Sequence, residues 1–251
     1  MHANGMQAAT DQGAATRLSR AFQGTGGGEA ELGEFDAAWF ERVWAALYAR
    51  WGFQPHAANV NVNSGNFDRG VSQRDLARFQ SFVQLARERG LATLAPVVTP
   101  NGGHEPLAWD DPFWRPARQM ALYGHGIALD TPPAYALGRG DRYLAFVEQE
   151  IRWGVSAGLR TTVILSPHFD GPEFLANTQA LVRRLVRDGA LPTEWVVENY
   201  DHGGLGEASG KGNPVGSESE PNSVAGVALW VARNAPTSPS GACGPGGFGA
   251  R

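Results

Sequence analysis

Five short stretches of the chain carry side chains that can hold, move or accept a proton. They are NVNSGNFD with Asn61 and Asn63, TPNGGHEPLAWDD with His104 and Trp109, LDTPPAY with Asp130 and Tyr135, SPHFDG with His168 and Asp170, and ENYDHGG with Glu198, Tyr200 and Asp201. Two of these acids, Glu198 and Asp130, each end an apolar run, sharing a face with Val196 and Ala128. A pair of carboxyl groups across a glycosidic bond can act as proton donor and as base or nucleophile. The two acids stand on stretches that are not neighbours in the chain. That predicts a wide pair with room for a water between the carboxyls, the arrangement of an inverting enzyme. The competing reading is that either acid pairs with an arginine or caps a helix.

The neighbours of these acids suit a sugar. Phe67, Trp109, Trp114, Tyr135, Phe169 and Tyr200 offer flat apolar rings with polar rims. Asn61, Asn63, Asp170 and Asp201 supply directed hydrogen bonds. His104, His168 and His202, with Glu105, Asp170 or Asp201, open a rival mechanism in which a divalent metal drives a hydrolase or deacetylase. No H-E-x-x-H or H-x-H occurs, so the main reading takes neither metal nor cofactor. Ser166 lacks a G-x-S-x-G elbow, and Gly24–Gly28 follows no strand, so neither a serine triad nor a dinucleotide fingerprint is read. Lys211 is the only lysine, which removes most Schiff-base and phosphate-loop chemistry. Cys243 is the only cysteine, which excludes an intrachain disulfide.

The elements that position these groups recur every 33 to 35 residues. Apolar or β-branched runs begin near Ala57, Ala92, Gly126, Arg160 and Thr193. Helices are predicted over 72–89, 111–123, 141–157, 172–188 and 222–234, with another over 35–51. Ser72 and Asp141 read as N-caps, and Gly90, Gly158 and Gly189 stand where helices should stop. Strand and helix in steady alternation predict βαβ units and a parallel sheet. Ligands in such folds sit at the carboxyl ends of the strands, where all five polar stretches fall. Residues 203–221 form a long connection on that side, read as a lid or a surface insert.

The α/β class leaves two architectures. One is a (β/α) barrel of the TIM type, incomplete or irregular because a full one takes eight strands. The other is an open doubly wound parallel sheet. Bulky Val60, Ile127, Leu129, Val163, Leu165 and Val197 alternate with smaller or polar residues, which favours the barrel over a sheet apolar on both faces. The 251 residues divide into a Gly-rich start (1–33), one folded domain (34–234) and a Gly/Pro-rich tail (235–251). A net charge of −4 argues against a nucleic-acid partner, and no apolar run is long enough for a membrane span.

LDTPPAY and VVENYDH, on a βα repeat with tryptophans in its loops, resemble TIM-barrel glycoside hydrolases over residues 56–234. The resemblance implies a carbohydrate substrate, with Glu198 and Asp130 as the acids at the strand ends. It also leaves open a non-catalytic glycan-binding barrel built on the same cleft. A polysaccharide substrate implies an extracellular or periplasmic setting, although residues 1–30 hold no continuous apolar core of a signal peptide.

Overall fold

Parallel strands follow one another across the sheet in the order of the chain, β1-β2-β3-β4-β5. The computed structural model describes residues 57–61, 73–88, 90, 92–98, 100, 105–167, 170–197 and 217–239. The strands are β1 (Ala57–Asn61), β2 (Thr93–Val97), β3 (Gly126–Asp130), β4 (Arg160–Leu165) and β5 (Glu194–Val197). Between and after them run α1 (Gln73–Glu88), α2 (Arg115–Gly124), α3 (Pro133–Gly138), α4 (Asp141–Ser156), α5 (Phe174–Arg187) and α6 (Val224–Asn234). The predicted alternation of strand and helix therefore holds over the described residues, and the fold is α/β with a parallel sheet. A closed barrel of eight strands is not shown.

The period-two pattern sorts each strand into two faces. Leu94, Val98 and Ile127 pack with Phe79, Met120 and Phe146 of the helices. Leu129, Val163 and Leu165 pack with Tyr143, Ile151, Leu181 and Val227. The alternate residues Ala95, Ala128, Ile164 and Val196 form a cluster of their own, with Val97 beside it and no helix residue among its described members. The helices thus bury their apolar stripes on one face, and Asp130 belongs to the other by alternation with Ala128. Register pairs Ala128 with Thr162 and Thr162 with Glu194, carrying this second face from strand to strand. Its lower layer is polar: Glu194 accepts from Arg160 and, at 3.1 Å, from the Thr162 hydroxyl.

Two helices lie unusually close to the sheet. A Cβ on Gly124 would stand 1.9 Å from the Leu94 carbonyl oxygen, and one on Gly154 would stand 2.5 Å from Thr161 Oγ1. Helix ends also follow a rule invisible as a sequence motif. Arg87 of α1 donates to the Tyr123 carbonyl near the end of α2, and Arg152 of α4 donates to the Asp188 carbonyl just past α5. Both pairs are 36 residues apart. Each arginine satisfies a carbonyl left open at a neighbouring helix's end.

The local predictions fare unevenly. Gly90, Gly158 and Gly189 take left-handed φ of 85°, 71° and 69° just past helix ends, as expected. Asp141 is not an N-cap. Gly140 holds that position, and the Asp141 carboxylate instead pairs with Arg184 of α5 at 2.8 Å. The stretch after β3, read as loop, contains α3. Ser72 and the helix over 35–51 lie outside the described residues.

Candidate active site

The candidate site lies at the carboxyl ends of β3 and β4. Strand β3 ends at the half-buried Asp130, in register with Ile164. Thr131 carries the pairing one residue further, its N–H donating to the Ile164 carbonyl at 2.8 Å. Its hydroxyl donates back to Leu129 at 3.2 Å. The backbone around Asp130 is therefore tied to β4. Pro132 and Pro133 then start α3, with proline's fixed φ suited to a first helical position.

Neither proline has an N–H, so Ala134 offers the first donor of α3. That donor goes to Asp170 Oδ1 at 3.0 Å, from the loop after β4. Asp170 is only 4% exposed. Burial pushes its carboxyl up to about 6, with the Asn177 side chain and the Ala134 N–H pulling the other way. A buried carboxyl that holds its proton in mildly acidic water therefore sits one loop away from Asp130. Ser166, fully buried, follows β4 in the same loop.

Aromatic and acidic groups lie behind Asp130. Tyr135 of α3 meets Tyr143 of α4 edge-on, with centroids 5.7 Å apart. The Arg139 guanidinium lies 5.6 Å from the Tyr135 centroid and 5.8 Å from that of Tyr143. Burial raises the Tyr143 hydroxyl far above the ordinary tyrosine value, and the nearby Tyr135, Asp130 and Glu150 raise it further. Glu150 is completely buried on the sheet-facing side of α4, and burial pushes its carboxyl well above the usual range.

The predicted site residues separate accordingly. Asp170 bonds to the first turn of α3, which carries Tyr135 and follows Asp130 in the chain. Asn61 ends β1 opposite Val97, on the far side of β2 from β3. Trp109 does not line a cleft. It is 3% exposed, with its ring 5.8 Å from those of Trp114 and Phe146 and 5.4 Å from that of Trp153. The segment around it folds onto α4, where Gln149 Oε1 accepts from the Trp109 N–H at 3.1 Å. Burying several large rings together outweighs keeping one in a wet loop. Trp114, also read as a loop aromatic, is fully buried in the same cluster. Asn63, His104, His168, Glu198, Tyr200 and Asp201 lie outside the described residues.

Sequence reasoning missed Tyr143 and Glu150. Their signal was an acid and a phenol on the apolar stripe of α4, in line with Phe146, Val147 and Ile151. Among the described residues no group of three His, Cys, Asp or Glu side chains is placed to hold a metal ion. No helix among them is long and apolar enough to cross a membrane. In comparisons with known proteins, the chain matches no family model, no curated protein and no solved structure.

Proposed function

We propose that the chain is a carbohydrate-active hydrolase that cleaves glycosidic bonds at the carboxyl edge of a (β/α) barrel wall. The sequential strand order and the helices packed on one face support the barrel wall. A doubly wound sheet reverses its strand order and takes helices on both faces. The observation that carries the function is the placing of Asp130. It ends a strand on the face away from the helices, four residues before Ala134, whose N–H the buried Asp170 accepts.

Asp130 and Glu198 form the acid/base pair of this reading. One carboxylic acid gives its proton to the glycosidic oxygen as the bond from that oxygen to the anomeric carbon breaks. The other, ionised, takes a proton from the water that attacks the same carbon. Tyr135 and the polar side chains of the other strand-end loops, Asp170 apart, bind the sugar, and no metal or cofactor takes part. A polysaccharide substrate would set this work outside the cytoplasm.

The test is reducing-end release from starch, xylan, carboxymethylcellulose and chito-oligosaccharides, with and without EDTA. The wild type should release sugar in both conditions, and Asp130→Asn and Glu198→Gln should each lose about a hundredfold or more. Release that survives both substitutions overturns the pair. Loss of release in EDTA moves the mechanism to a metal.

A further inference from the structure

The start of α3 and the loop after β4 are joined by a part-buried hydrogen bond, from Ala134 N–H to Asp170 Oδ1. A similar bond recurs one unit later, where the Leu175 N–H at the start of α5 donates to Asn222 Oδ1 at 3.1 Å. In both places an acceptor from the following unit secures the first turn of the preceding helix. The first of these bonds spans 36 residues and the second 47, so neither is a local capping motif. Only the first ties together two loops that flank Asp130.

We infer that Asp170 is a positioning residue of the proposed site, clamping the loop after β4 to the helix that follows Asp130. This inference rests on the hydrolase reading and refines it. Asp170 does not touch the substrate. It holds the two βα loops at one separation, so that the Asp130 carboxyl and the groups of the β4 loop meet a sugar in a single geometry. The chain around it suits that work. Two prolines stiffen the entry to α3 and leave Ala134 as the first available donor. Thr131 pins the strand end to β4. Asp170 itself is almost wholly shielded from water, which keeps solvent from competing for the bond.

Asn keeps an acceptor oxygen at the same place, whereas Ala removes it. Asp170→Ala should raise amide exchange over residues 133–138 about tenfold or more, the loss expected for a part-buried hydrogen bond to a carboxyl. Asp170→Asn should raise it no more than about threefold. Asn222→Ala should raise exchange at the start of α5 and leave 133–138 unchanged, which separates the clamp from general loosening. On the substrate that the wild type cleaves best, Asp170→Ala should lower kcat about ten- to a hundredfold with KM within about twofold. Asp170→Asn should restore most of that kcat.

Unchanged exchange over 133–138 in Asp170→Ala overturns the clamp. Raised exchange with unchanged kcat overturns its role in the site, as does a change in KM alone. If the wild type releases no sugar, the hydrolase reading falls and with it the site role. The exchange data then decide the clamp alone.

Discussion

Gly124→Ala should destabilise the protein, although alanine is the better helix former. Gly124 is the last residue of α2, where that helix crosses β2. An added Cβ would stand 1.9 Å from the Leu94 carbonyl oxygen, 3.0 Å from its carbon and 3.4 Å from Phe79 Cζ. Carbon and oxygen approach no closer than about 3.3 Å even in weak C–H···O contacts, so the backbones must part by more than about 1 Å. Leu94 cannot retreat freely. Its side chain is buried in the helix-side core, and its strand is paired on both sides. Overpacking of this kind costs about 1–3 kcal/mol or more. The gain in helix propensity returns about 1 kcal/mol at most.

A net loss of about 1–2 kcal/mol corresponds to a fall in Tm of about 2–8 °C for a domain of this size. Gly138→Ala is the matched control. Gly138 ends α3 without a positive φ, and a Cβ there meets nothing within 4 Å. It should gain about 0.4–1 kcal/mol by restricting the unfolded chain. Thermal and urea melts of the three proteins read both effects. Equal stability of Gly124→Ala and wild type would refute the close approach of α2 to β2 as the cause.

Three further outcomes follow from buried charge. Glu150→Met should stabilise by about 1–3 kcal/mol at pH 8 and by much less at pH 4, because the folded state holds the Glu150 proton where the unfolded chain releases it; urea melts across pH check this, and equal gain at both pH values would count against it. Asp170→Asn should match wild type below about pH 4 and gain ~2 kcal/mol above pH 6. The raised carboxyl of Asp170 costs stability as pH climbs from its unfolded value through about 6, and asparagine keeps the Ala134 bond. Glu194→Gln should cost about 3 kcal/mol, because Arg160 is buried enough to lower its own pKa and loses the carboxylate that offsets this. Combining it with Arg160→Met should recover most of the loss, and a double variant no better than the single would remove the ion pair as the cause.

Much of the framework could be read from residues a few positions apart. The alternation of Ile127 and Leu129 with Ala128 and Asp130 already assigned β3 its two faces, and the register agrees. Apolar spacing marked α1, α4 and α5 to within two residues at each end, and Gly90, Gly158 and Gly189 marked their stops. These signals are local: a strand's period, a helix's period and a glycine's tolerance of positive φ act within one or two turns. For the same reason Asp130 could be named as a strand-end acid from the sequence.

The site itself depended on partners that no local rule connects. Trp109 and Trp114, polar-loop residues by position, entered the core because Phe146 and Trp153 of α4 gave their rings a place to pack. Asp141 gave up a cap for Arg184, 43 residues away. Asp170, one acid among several in a polar stretch, became a buried clamp because Ala134 lay within reach. Glu150 looked like any acid on an amphipathic helix until the packing of α4 turned it away from water. Sequence alone determined the order of strands and helices and which residues end the strands, since backbone propensity and hydrophobic period are properties of neighbours. Tertiary structure alone decided which of those residues are buried, paired or protonated, since burial and charge are set by whatever the fold brings against them.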